Sequence, residues 1–506
     1  MNIAEAKDYI KDTVELYLKK DEYGDYRIPV VRQRPVFLLG ASGIGKTAIM
    51  SQIASELNIA LVSYSMTHHT RQSALGLPFI KEKEYDKTAY SVSEYTMSEI
   101  IASIYDTMEE SGVREGILFL DEINCVSETL YPSMLQFLQY KVFGKHTVPE
   151  GWVIVTAGNP PEFNKAVREF DVVTLDRLKV LEVEADYPAW KRYASEVSLH
   201  GAILNFLDSN REYFYGVETT AFGKNYVTAR GWEDLSDMLK LYEESDKKVS
   251  ESLVGQYIRN ETIVREFTAY YELYNKYKKK YDVEAIFTGR TDERFAGEAR
   301  AASVDERLAL TGLLADVIKA ETKDIMRNSD VLKEVRGSVM KLTSGEEEDV
   351  RAYAGKLTEA SEKIINVKKK AGNLTSADKA REKAKIAFYK DLVSDTMQAV
   401  MSEHGENGGL NTADEVKSFY NGRIAKLKER VGSEQERMDH LFAAMADIFG
   451  EESNEMLLLV TELTLNKDSA QFFATFGSDT YEKYNALLMV GDRKESLRRE
   501  ISEILV

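Results

Sequence analysis

The chain is short of the residues that would place it in several common settings. Its single cysteine, Cys125, rules out an intramolecular disulfide and fits a reducing compartment. No apolar run approaches the roughly 18 residues of a spanning helix. The opening residues, "MNIAEAKDYIKDTVELYLKK", mix acids and lysines on an amphipathic helical pattern and do not read as a signal or transit peptide. A cytoplasmic protein with no membrane role is therefore expected. Positive charge is also in deficit, with 66 Lys and Arg against 84 Asp and Glu and a net charge of -18. That balance opposes a phosphate backbone, so nucleic acid is not expected as the main partner. No Asn-Lys-x-Asp guanine motif is present.

Proline marks the first boundary by its disappearance. All eight prolines lie between Pro29 and Pro188, and the long remainder has helical apolar spacing. Before that point, short apolar runs alternate with amphipathic stretches. "PVFLLG", "ALVSYS", "GILFLD", "WVIVTAGN" and "KVLEVEA" read as buried strands; "GKTAIMSQIASEL" and "SEIIASIYDTMEES" read as helices. This alternation predicts a parallel sheet covered by helices on both faces. The polar piece "LPFIKEKEYDKTAYSVSEY" between them is expected to be a loop or a hairpin insertion. The predicted layout is an α/β phosphate-loop domain over 1–185 and a helical lid over 186–281. A mainly α-helical C-terminal region follows over 282–506, with a break near 402–412.

What is present is a phosphate cradle. Gly40-Ala41-Ser42-Gly43-Ile44-Gly45-Lys46-Thr47 fits GxxxxGK[ST], directly after a predicted strand and before a predicted helix that continues with Ala48. Glycines let backbone N–H groups turn inward around phosphate oxygens, and the helix start adds potential favourable to anions. Lys46 would reach the β- and γ-phosphates, and the Thr47 hydroxyl would ligate Mg²⁺. The strand "GILFLD" ends in Asp121, a second Mg²⁺ ligand candidate, and Glu122 follows as a general base for water. "VIVTAGNP" ends in Asn159, which could sense the γ-phosphate or simply form a turn before Pro160. Phosphoryl transfer also needs a cation, for which Arg168, Arg177 and Arg230 are candidates.

The order of these elements resembles the AAA+ ATPases. "FLDEINCVSETLYPSMLQFLQ", "TAGNPPEF" and "ALGLP" resemble the MoxR group within them, over roughly residues 30 to 280. The resemblance implies ATP with Mg²⁺, a Walker A pair at Lys46 and Thr47, a Walker B pair at Asp121 and Glu122, and sensor 1 at Asn159. It makes Arg177 the arginine finger, with Arg168 as its rival, and Arg230 sensor 2 in the lid. It further implies a homo-oligomeric ring, commonly a hexamer, and chaperone-like remodelling of a protein partner such as a von Willebrand A domain protein. A slow nucleotide switch and a GTP- or DNA-dependent motor are the alternatives.

Other features carry no such chemistry. His68-His69 reads as a surface pair and Cys125 as an inert small residue. Phe267, Tyr270, Tyr271, Tyr274 and Tyr277 recur at helical spacing and read as packing. The C-terminal region is expected to dock a partner or cap the ring.

Overall fold

The computed structural model describes residues 1–68, 71–161, 167–220, 223–280, 283–291, 293–346, 349–404 and 412–486. His69 and residues 405–411 of the glycine-rich break lie outside the described residues, as does the side chain of Tyr277. The chain divides into two compact units. One comprises Met1–Ala189 with Lys356–Ile386, and the other Trp190–Gly355 with Ala387–Val506. Among the described residues no helix is long and apolar enough to cross a membrane.

The first unit opens with α1 (Ile3–Tyr17), whose N-terminus is closed by a capping box of Asn2 and Glu5. There follow β1 (Val36–Gly40), α2 (Lys46–Glu56), β2 (Ala60–Ser65), α3 (Arg71–Leu75), and the hairpin β3 (Pro78–Tyr85) and β4 (Thr88–Tyr95). Next come α4 (Glu99–Ser111), β5 (Gly116–Asp121), α5 (Tyr131–Tyr140), the short pair β6 (Val142–Phe143) and β7 (His146–Thr147), β8 (Trp152–Gly158), α6 (Val172–Leu175) and β9 (Lys179–Val183). The expected insertion is thus a two-stranded antiparallel hairpin.

Five strands form one sheet in the order β2-β5-β8-β1-β9. All four pairings in it are parallel. The sequence explains the inner positions: β8, "WVIVTAG", is buried at every residue, and β5 at every residue but Asp121. Such unbroken apolar runs suit strands covered on both faces. One face packs Phe37, Leu118, Leu120 and Ile154 against Ile100, Ile104, Met134 and Phe137.

The second unit is mostly helical: α7 (Tyr187–Glu196, which begins at the end of the first unit), α8 (Gly201–Ser209), the hairpin β10 (Gly216–Thr220) and β11 (Gly223–Val227), α9 (Ala229–Glu244), α10 (Glu251–Tyr257), α11 (Glu261–Lys280), α12 (Val283–Phe287) and α13 (Glu293–Arg300). α14 (Val304–Ser344) is its spine, packing against α17 (Thr412–Phe449), α18 (Asn454–Leu465) and α19 (Lys467–Phe476). Two helices between these, α15 (Val350–Lys370) and α16 (Ser376–His404), contribute residues to both units. Phe267, Tyr271 and Tyr274 are buried, and Phe267 meets Trp232 and Phe206 edge to face.

Candidate functional site

Parallel sheets present ligands at the carboxyl ends of their strands, where the strand order reverses. Here β1, β8 and β5 are neighbours, and their carboxyl ends carry Gly40, Asn159 and Asp121 respectively. The topology therefore gathers residues 40, 121 and 159 at one rim.

The loop between β1 and α2 needs its glycines for their backbone freedom and their lack of a Cβ. Gly43 and Gly45 have φ of 78° and 99°, a left-handed backbone that costs side chains about 1 kcal/mol or more. A Cβ on Gly40 would stand 2.5 Å from the Val183 carbonyl oxygen. Gly45 is the N-cap of α2 and offers no side-chain cap, so the first N–H groups of the helix face the loop.

Lys46 begins α2 and is buried. Its Nζ donates to the carbonyls of Gly40 and Ala41, both at 2.7 Å, and to Oδ1 of Asn159 at 2.9 Å. The Thr47 hydroxyl donates to Oδ2 of Asp121 at 2.9 Å. A hydroxyl and a carboxylate in contact at a phosphate loop are hard oxygen donors of the kind Mg²⁺ takes alongside phosphate.

Glu122 has a left-handed backbone, with φ of 55°, and its N–H donates to Oδ1 of Asp121 at 2.9 Å. Its Oε2 accepts from the hydroxyls of Ser65 at 3.1 Å and Thr67 at 3.0 Å. A non-glycine residue held in that backbone region stores strain, a feature concentrated at functional sites. Ser65 and Thr67 were invisible as site residues in the sequence, because a hydroxyl at a strand end is ordinary until the neighbouring strand is known.

Asn124 is a second residue that spacing did not reveal. It is 3% exposed, and its Nδ2 donates to the Asn159 carbonyl at 2.9 Å. A Cβ on Gly158 would meet its Oδ1 at 2.5 Å, so the amide lies flat on the end of β8. The Asn124 backbone carbonyl accepts the backbone N–H of Arg168 at 2.9 Å. Asn124 thus joins the end of β8, through its side chain, to the arginine-bearing segment, through its backbone.

The arginines fall in different settings. Arg168 pairs with Glu128 and lies over the Tyr131 ring at 5.7 Å. Arg177 is exposed just ahead of β9 and donates to Oε1 of Gln139. Arg230 is exposed in the first turn of α9, in the second unit. Burial, with the charges of Glu122 and Asp121 nearby, pushes the Cys125 thiol up, which disfavours the reactive thiolate.

Residues 36–175 match the model of the ATPase family associated with various cellular activities (AAA). No curated protein matches the chain. The five-stranded parallel sheet with its flanking helices fits a P-loop AAA core, and the matched residues include the loop between β1 and α2.

Proposed function

We propose that this protein is a Mg²⁺-dependent ATPase of the MoxR-like kind. It would assemble as a ring, a hexamer by the family's habit, and remodel or mature a protein partner such as a von Willebrand A domain protein. The observation that carries the reading is the contact set at the strand ends: Lys46 to Asn159 and Thr47 to Asp121, with Glu122 one residue further on.

Each residue then has a chemical task. The loop from Gly40 to Ala48 wraps the phosphates with backbone N–H groups, and Lys46 neutralises charge between β- and γ-phosphates. Thr47 and Asp121 would hold Mg²⁺, which offsets charge on the transferring phosphoryl group. The Glu122 carboxylate takes a proton from the attacking water, and Ser65 and Thr67 aim it. Asn159 donates through its amide nitrogen to the γ-phosphate or to that water.

Arg177 is the better finger. It is exposed and held in its own chain by a neutral partner, Gln139, whereas Arg168 is paired with the acid Glu128 and lies over Tyr131. Arg230, at the start of α9, would act as sensor 2. Hydrolysis would then depend on assembly.

A slow nucleotide switch is the second reading, favoured by the engagement of the Glu122 carboxylate with two hydroxyls. Steady-state turnover of ATP and GTP, with and without Mg²⁺ and DNA, decides between them when compared with Glu122→Gln. A fall in ATP turnover of about 10²–10⁴-fold with nucleotide still bound supports the ATPase. Equal rates in the two proteins support the switch, and turnover that needs GTP or DNA supports a motor. Particle size with and without ATP tests the ring.

A further inference from the structure

Edge strands expose unpaired N–H and C=O groups, and β2 is an edge of the main sheet. Its outer side is not left bare. The Leu61 N–H donates to the Ala371 carbonyl at 2.7 Å, and the Ile59 carbonyl accepts from Nδ2 of Asn373 at 2.7 Å. Ala371 is fully buried in the same apolar cluster as Ala60 and Val62. These partners belong to the turn between α15 and α16, more than 300 residues further along the chain.

The fit is close. Gly372 has φ of +72°, and a Cβ there would stand 2.3 Å from the Leu61 carbonyl oxygen. The turn grips α2 as well. Asp378 accepts from Ser55 near the end of α2 at 3.0 Å, from Thr375 at 2.9 Å, and pairs with Lys368 at 3.0 Å. Burial alone would raise the Asp378 carboxyl, but these donors hold it below its ordinary value.

Both gripped elements reach the site at their other ends. α2 begins with Lys46 and Thr47, and β2 ends in Ser65, just ahead of Thr67. From Leu61 to Ser65 is four residues of strand, about 13 Å. From Ser55 back to Lys46 is about 14 Å of helix. β2 is thus held by the turn near its start and hydrogen-bonded to Glu122 through Ser65 at its end, while pairing with β5 between.

We infer that the α15–α16 turn is a positioning element for the hydrolytic site, setting the orientation of Glu122 through β2. The inference rests on the ATPase reading and gives part of the C-terminal region a definite task in it. Truncation that includes 356–386 should therefore lower turnover, whereas a tail acting only on partners would leave it alone.

The test uses Asn373→Ala and Gly372→Ala in the full chain, with Ser65→Ala as the reference at the other end of β2. Turnover is expected to fall roughly 5- to 10-fold in Asn373→Ala, the scale of one buried hydrogen bond, with ATP affinity unchanged within about 2-fold. Sites this far apart normally act additively. The Asn373→Ala/Ser65→Ala double variant should lose no more than the worse single variant. Additive losses, or unchanged turnover in Asn373→Ala, would overturn the inference. Hydrogen exchange supplies a readout that does not need hydrolysis, and it also serves should Gly372→Ala not fold. Asn373→Ala should speed exchange at residues 61–67 and 122–125 while leaving 152–158 protected. Exchange unchanged at 122–125 would overturn it, even for a protein that proves to have no ATPase activity.

Discussion

Two buried clusters, one in each unit, hold charge in opposite ways. In the helical unit, one cluster of buried charges neutralises itself: Lys191 pairs with Asp208 at 2.9 Å and with Glu462, and Lys319 pairs with Glu462 at 2.6 Å and Asp316 at 3.5 Å. Burial would push Glu462 up, but Lys319 and Lys191 hold its carboxyl below the ordinary value. In the α/β unit, the buried Lys46 ammonium donates to two backbone carbonyls and an amide oxygen at the open ends of strands. A charge matched by an opposite charge specifies packing, at a desolvation cost that its partner offsets. Carbonyl and amide oxygens that accept from an ammonium can give way to an anion.

The comparison can be broken in four ways, the largest first. Glu462→Ala leaves Lys191 and Lys319 buried without their shared acid, and should destabilise by about 3–5 kcal/mol. A shift in denaturant midpoint with unchanged ATP affinity is the expected outcome. Loss of nucleotide binding would show that the helical network also serves the site. Lys46→Ala should do the converse: roughly 10- to 100-fold weaker ATP binding, as for a lost charge-assisted contact, with little change in unfolding midpoint.

Lys141 sharpens the contrast as a second buried lysine of the α/β unit that donates to a backbone carbonyl. It is 4% exposed, its Nζ donates to the Leu138 carbonyl at 2.8 Å, and burial lowers its pKa to about 8. Unfolded, the lysine binds its proton up to about pH 10.4, so between about pH 8 and that value the unfolded chain holds more protons. Stability should therefore rise with pH across that window. Lys141→Met should raise the melting temperature at neutral pH, by about 1–3 kcal/mol in stability, and abolish that rise. The smallest effect concerns α9. Thr228→Ala removes the cap that accepts the Gly231 N–H at 3.1 Å and should cost about 1 kcal/mol. If Arg230 acts on nucleotide, ATP turnover should fall with it.

Much of the α/β core was legible in order because its signals are local. Apolar runs bounded by turn residues marked all five strands of the sheet, and the GxxxxGK[ST] string marked the loop, since glycine is required where φ is positive. Asp121 and Glu122 were legible as acids at a strand tip. Ser65, Thr67 and Asn124 were not, because serine, threonine and asparagine at strand ends usually do no more than end the strand. Their partners lie 57, 55 and 35 residues away, and nothing in the local pattern names a partner at that separation.

The C-terminal region shows the same limit more sharply. Helical periodicity announced its helices, because an apolar stripe is written in i, i+3 and i+4 spacing. That one turn between two of them should cover the β2 edge depended on which open backbone groups the sheet left and on which glycine could approach them. Sequence alone determined the elements and the placing of the loop glycines, since both follow from short-range sterics and burial. Only the tertiary structure decided which distant hydroxyls hold Glu122, which amide meets the end of β8 and which turn covers β2, because hydrogen-bond partners across strands are chosen by register and packing rather than by proximity along the chain.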